Sequence, residues 1–166
     1  MGRRRESRER ILGLLYEAES KGVTPAALLD ELPVSPDPYV SDVVAGVGAR
    51  AAEIDALVAG FAIDWTLDRM PAIDRTLLRM ATYELLGRPD VPTGVVISEA
   101  VDLARQYSTE ESSRFVNGVL ASVAVATRGD HDPARPLDPA RPLDPAQPFD
   151  PGGGEPRGAG PDARKS

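Results

Sequence analysis

The sequence predicts an all-α protein, and three observations carry that prediction. Apolar residues recur at intervals of three and four in each long segment. No segment reads clearly with the period of two that a half-buried strand requires. Proline falls at the starts of or between the periodic segments. The architecture that follows is a compact bundle of five main helices and one or two short ones.

The first helix lies over residues 6–20, where Ile11, Leu14, Leu15 and Ala18 form the apolar stripe and Leu12 and Tyr16 widen it; Gly22 breaks it. Thr24 before Pro25 has the form of an N-cap followed by proline at the first helical position, opening a short helix through Leu28, Leu29 and Leu32. Pro33, Pro36 and Pro38 end that helix and form a stiff linker. The longest periodic run goes from Val40 through Val43, Val44, Val47, Ala51, Ile54, Leu57 and Val58 to Phe61, and predicts one helix of more than twenty residues. Helical period outweighs the β-branched propensity of its valines, and Gly46 and Gly48 inside it point to close helix packing.

After Asp64 and Trp65, a short helical turn through Leu67 and Met70 meets Pro71. Ile73, Leu77, Leu78, Met80, Ala81, Leu85 and Leu86 are apolar around much of the circumference, which predicts the central and most buried helix, with Gly87 as its left-handed cap. Another helix runs from Val95 to Tyr107. Ser108 and Glu111 then have capping-box spacing ahead of a last helix through Phe115, Val116, Val119, Leu120 and Val123.

These helices occupy residues 1–127, the size of one domain. Residues 128–166 hold nine of the 16 prolines and six of the 15 glycines, with three near-copies of a six-residue unit starting at Asp132, Asp138 and Asp144. Proline at this density blocks helix and ladder bonding, so the expectation is a disordered, Pro-rich tail. It reads as a spacer, with docking into an aromatic groove as the alternative.

Composition excludes several function classes. The chain has no cysteine and one histidine, His131 in the tail, which removes disulfides, thiolate zinc sites, His-based triads and multi-His metal centres. No phosphate loop, dinucleotide fingerprint, zinc-protease motif or nucleophile elbow occurs, and Lys21 is the one lysine before the tail. Neither an enzyme nor a metal or other cofactor is expected. No run approaches the ~20 apolar residues of a membrane span and the N-terminus lacks a signal-peptide core, so the expectation is a soluble, cytoplasmic protein with no membrane partner.

The net charge of −7 is unevenly distributed. The first 127 residues carry 13 basic and 19 acidic side chains, yet Met1–Arg10 alone holds five arginines against Glu6 and Glu9. An acidic body with a local basic arm can hold phosphates if other features specify the site. Arg4, Arg5 and Arg8 lie near one another on a first helical turn, where guanidinium forks suit successive phosphates. Arg114 beside Phe115 suits base stacking next to a phosphate contact, although spacing alone places Phe115 in the core. Asp64, Asp68 and Asp74 interleaved with Arg69, Arg75 and Arg79 suit either a polar protein interface or a solvated face.

Several motifs in register carry a resemblance. Trp65 through Arg79 (WTLDRMPAIDRTLLR), Tyr83-Glu-Leu85, Asp90-Val-Pro92, Ser98-Glu-Ala100 and Phe115-Val-Asn-Gly-Val-Leu120 follow an arginine-rich start that leads into Leu14-Leu15-Tyr16-Glu17. Over about residues 3 to 126 the chain resembles the NusB family of bacterial transcription antitermination factors, its actinobacterial members especially. The resemblance implies two small helical subdomains, the first from the N-terminal helices and the second from the helices after Trp65. It implies pairing with a small-subunit ribosomal protein, NusE, binding of boxA RNA in nascent ribosomal RNA transcripts, and assembly on RNA polymerase with other Nus factors.

Site residues follow the aligned motifs. Arg4, Arg5 and Arg8, with Arg3 by proximity, match the RNA-contacting start, and Tyr16 matches a first-helix tyrosine implicated in complex function. Glu111, Arg114 and Phe115 match a second RNA-contacting region, which moves Phe115 toward a partly exposed stacking role. Asp74 matches an acidic position that engages the ribosomal partner, with Asp68 and Arg75 in its neighbourhood. Arg79, Glu84 and Asn117 read as structural: an internal ion pair and a helix-packing polar group. Gly13 and Glu6 depart toward a weaker basic face, and the proline repeat has no counterpart in the family. The alternative function is a homodimeric helical interaction module without direct RNA binding.

Overall fold

The computed structural model describes residues 2–63 and 65–129; the proline-rich repeat and His131 lie outside them, and so does Asp64. Seven α-helices and one 3-10 turn make up the described chain, with no strand among these residues. They are α1 Gly2–Lys21, α2 Pro25–Glu31, α3 Pro38–Ala49, α4 Ala51–Phe61, the turn Leu67–Arg69, α5 Ala72–Gly87, α6 Thr93–Tyr107 and α7 Glu110–Arg128.

Local chemistry sets most boundaries. Gly22 takes φ +67, and the N–H groups of Gly22 and Val23 donate to Glu19 and Ala18 carbonyls, closing α1 in a Schellman motif. Thr24 accepts from the Ala27 N–H and caps α2, as its position before Pro25 predicts. Pro38 belongs to α3 rather than to a linker: it is the first helical residue, and Asp37 caps the helix by accepting from the Tyr39 N–H at 2.8 Å. At α7 the cap is Thr109, not Ser108. Thr109 has the extended backbone a cap needs and accepts from the Ser112 N–H, while the Ser108 hydroxyl donates to Ser112 Oγ. Glu110 and Glu111 in the first turn favour the positive helix end.

The run Val40–Phe61 is two helices. The chain leaves helical geometry at Arg50 (φ −110, ψ 23), so α4 turns away from α3 and packs on α5, α7 and the 3-10 turn. This places α4 with the later helices, whereas α1, α2 and α3 pack together; the two groups share one continuous apolar core. Ile54 and Val58 of α4 are fully buried in it. α5 is central, packing against α1, α3, α4, α6 and α7 and burying residues on all sides from Asp74 to Leu85. α7 runs through Arg128, one residue past the expected domain edge. Its guanidinium donates to the carbonyls of Glu84, Leu85, Arg88 and Val91, tying the last helical turn to the end of α5.

Close approach explains two glycines. Gly87 lies within α5 and has no positive φ, so the expected left-handed cap is absent; a Cβ there would press on the ring of Tyr83. Gly46 of α3 faces the same ring, and a Cβ would fall inside its van der Waals envelope. Gly46→Ala is expected to destabilise by about 1–3 kcal/mol through overpacking. Gly13→Ala, on an open helix surface with nothing near its Cβ position, is expected to stabilise by up to about 1 kcal/mol. Urea unfolding of both variants checks the opposite signs.

Candidate nucleic-acid interface

α1 gathers the arginine arm and divides it between solvent and interior. Arg3 and Arg4 are exposed. Arg5 is half-buried, its Nη1 3.4 Å from Asp102 Oδ2 and 3.6 Å from Glu99 Oε2 on α6. Arg8 is 3% exposed and donates from Nε and Nη2 to the two carboxylate oxygens of Glu84, at 3.3 and 3.1 Å. Helical spacing puts Arg8 on the same face as Ile11, Leu12 and Leu15, all buried. Arg8 is therefore not presented to phosphates with Arg4 and Arg5; its fork is spent on a buried carboxylate. Burial pushes the Glu84 carboxyl above its ordinary range, and the Arg8 guanidinium pulls against that shift.

The internal pair expected of Arg79 and Glu84 is two separate pairs. Glu84 holds Arg8, whereas Arg79 donates from Nε and Nη2 to Asp55 of α4 at 2.8 and 3.1 Å, with Glu19 at 3.6 Å. Asn117 is half-buried on α7.

A chain of alternating charges links the start of α1 to the start of α7 along α6. Arg5 meets Asp102, Asp102 meets Arg105 at 3.4 Å, and Arg105 meets Glu110 at 3.5 Å. Glu111 and Arg114 are exposed on the first turns of α7. Tyr16 is also exposed and lies three turns beyond Arg5, on the same side of α1.

Phe115 is half-buried, and its outer side meets Trp65: the ring centres are 5.9 Å apart and tilted by 39°. Trp65 is 45% exposed, so the pair offers an aromatic surface beside Arg114. In the sequence Trp65 stands out only as part of the motif that carries the family resemblance. Its signal was the position of the chain's one tryptophan outside any apolar stripe, between two helices.

Asp74 sits beneath this surface. It is 2% exposed, its Oδ2 accepts from Ser112 Oγ at 2.7 Å, and Ser112 in turn receives the hydroxyls of Ser108 and Thr109, both at 3.0 Å. The other carboxylate oxygen, Oδ1, is buried without a hydrogen-bond partner. A cavity of about 290 Å³ lies here, lined by Trp65, Asp74, Thr109, Glu111 and Phe115 among others. Asp74 thus organises the α5–α7 junction and does not face solvent as a partner-contacting carboxylate. Asp68 is exposed on the 3-10 turn. Arg75 donates to the Leu67 and Met70 carbonyls and pairs with Glu19, which holds that turn against α1.

Among the described residues no cluster of three or more His, Asp or Glu is placed to hold a metal ion, and no helix is long and apolar enough to cross a membrane. What the arrangement can do is bind: exposed guanidinium groups and an aromatic pair suit phosphates and bases.

Residues 5–125 match the model of the NusB family. Among curated relatives, the transcription antitermination protein NusB of Kineococcus radiotolerans is 44% identical over 128 residues, covering 75% of this chain and 94% of the relative. Among solved structures, NusB of T. maritima is similar with a TM-score of 0.66 and 32% identity, over 78% of this chain and 93% of that one. A chain from the complex of antitermination factors NusB and NusE with double-stranded RNA is similar with a TM-score of 0.62 and 26% identity, over 76% and 98%.

Proposed function

The chain belongs to the NusB family of transcription antitermination proteins, a family of transcription factors and not of enzymes, and from that premise we propose how it works. It pairs with a small-subunit ribosomal protein of the NusE kind, and the pair binds boxA-type RNA in nascent ribosomal RNA transcripts. On RNA polymerase, with other Nus factors, it suppresses premature termination; transcription in bacteria is cytoplasmic, and so is the protein. Residues 1–127, with Arg128 closing the last turn of α7, form the RNA-binding domain.

The observation that carries this reading is the charge chain from Arg5 through Asp102 and Arg105 to Glu110, with Arg3 and Arg4 exposed near one end and exposed Arg114 and the Trp65–Phe115 pair near the other. A structural neighbour that is a complex of NusB, NusE and RNA supports the same partners. On an acidic chain, a local basic and aromatic strip gives RNA binding that a second protein must complete.

Titrating labelled boxA-type RNA with this protein, with and without the ribosomal partner, is the test. Binding is expected to be far tighter with the partner and to weaken as salt rises. Trp65→Ala is expected to lose about 1–3 kcal/mol of RNA affinity, one stacked base, with a modest fall in melting temperature from the lost contact with Phe115. A partner that neither forms a complex nor enhances RNA binding overturns the proposal.

A further inference from the structure

The rings of Trp65 and Phe115 wall a cleft at the start of α7, lined also by Pro71 and Glu111. Glu111 and Arg114 stand exposed on the same helical turns, and neither is in an ion pair with another described residue. Gly118, Ser122 and Ala126 follow Phe115 at helical spacing, and none of them is buried. A strip of small side chains therefore leads from the cleft to Gly129, where the described residues end. Gly129 takes φ +79 and closes the helix.

The proline repeat that follows lies outside the described residues, but its sequence has the period of one backbone form. Every third residue from Pro133 to Pro151 is proline, and the residues just before them alternate in charge as Asp132, Arg135, Asp138, Arg141 and Asp144. A polyproline II helix has three residues per turn, and that form turns this pattern into one proline face beside one face of alternating charge. Segments of this kind dock on aromatic grooves, where the preformed backbone has little entropy to lose.

Reach and charge order both fit the cleft. Back along α7 from Gly129, Arg114 is about 22 Å away and Glu111 about 27 Å, at the rise of an α-helix. At about 3.1 Å per residue the chain from Gly129 extends about 28 Å to Asp138 and about 37 Å to Arg141. The second unit of the repeat thus reaches the cleft with length to spare for reversing direction, whereas Arg135 of the first, at about 19 Å, falls short. A segment running back along α7 passes Arg114 before Glu111, and each of the first two units presents its Asp before its Arg. Asp138 then meets Arg114, and Arg141 meets Glu111.

We propose that the Trp65–Phe115 cleft is the docking site of this chain's own proline repeat, with the unit 138–143 seated on it. A tethered ligand needs little affinity: at an effective concentration on the order of 1 mM, a contact with a Kd of about 0.1 mM covers the cleft about nine-tenths of the time. The covered face is the one given above to a stacked base, so the repeat holds it closed until RNA displaces it. That competition rests on the RNA-binding reading; the docking itself does not.

Trp65 is the chain's one tryptophan, so its fluorescence reports the docking. The experiment compares the full chain with Pro139→Gly/Pro142→Gly and with Arg141→Glu, reading acrylamide quenching of Trp65 and, with the ribosomal partner present, affinity for boxA-type RNA. These substitutions leave every residue of the helical domain in place. Both variants are expected to make Trp65 more quenchable, and the proline variant to bind RNA up to about tenfold more tightly, the factor forfeited by a site that is free one-tenth of the time. Adding Glu111→Arg to Arg141→Glu should restore the shielding, which a contact made elsewhere would not do. Equal quenching in the parent and both variants overturns the docking and leaves the RNA reading standing. Shielding that rises with protein concentration, with a dimer in sedimentation, overturns the intramolecular contact in favour of the repeat of a second copy. Shielding lost with RNA affinity unchanged keeps the docking and removes the aromatic pair from the RNA surface, so the two readings fail separately.

Discussion

Replacing Arg8 by methionine is expected to cost the fold about 3–5 kcal/mol, because it leaves Glu84 as a buried carboxylate without its counter-charge. Glu84 is 1% exposed, and Arg8 holds both its oxygens. Methionine keeps an apolar stem of similar reach, so the loss reports the charge rather than a cavity. The double variant Arg8→Met/Glu84→Leu, which removes both charges, is expected to recover most of it. Urea unfolding of the four species measures the cycle; a double variant as unstable as the single one would show that packing, not charge, is at stake.

The pH dependence of that variant has a definite sign. Burial already raises the Glu84 carboxyl while Arg8 pulls it down; without Arg8, burial acts unopposed and the folded pKa rises further. A carboxyl raised in the folded state contributes stability that is fully present below its unfolded pKa and lost as pH rises through the folded one. Arg8→Met should therefore stand nearest the parent in acid and fall away toward neutral pH.

Asp74→Lys is expected to cost several kcal/mol and to loosen the start of α7 before any partner is added. The site is 2% exposed, and its carboxylate receives the Ser112 hydroxyl, itself the acceptor of two others. A lysine there loses that bond and buries an unpaired ammonium. Asp74→Asn keeps the shape and an acceptor and is expected to stay within about 1.5 kcal/mol of the parent. Hydrogen exchange at Ser112–Val116 and calorimetric titration of the ribosomal partner should move together across the series. Equal losses of partner affinity in both variants with unchanged exchange would mean that Asp74 acts by direct contact instead.

Helix identity was legible because burial imposes a period. In α1, α5 and α7, where Leu, Ile, Val and Ala recur at three and four, the structure has helices with most of those residues inside. Breaks were legible only where a residue announces them. Gly22 and Thr24-Pro25 did; Arg50 did not, since nothing in its side chain forbids a helix. The turn there places Ile54 and Val58 against α5 and α7, a gain that exists only once those helices are present. Gly87 shows the reverse: its position suggested a cap, while the ring of Tyr83 four residues earlier accounts for its lack of a side chain.

By itself the sequence determined an all-helical domain, a basic arm on an acidic body, and motifs in register that point to one family. Tertiary structure alone decided which arginine is free and which is buried. Arg8 and Glu84 are 76 residues apart in the chain, Arg4 reaches a ring on α3, and Trp65 reaches Phe115 across the bundle. Periodicity reports which side chains leave water, a property each helix carries alone. Which charges then meet depends on distances between helices, and attraction between charges in a poorly solvated interior acts only after packing has brought them together.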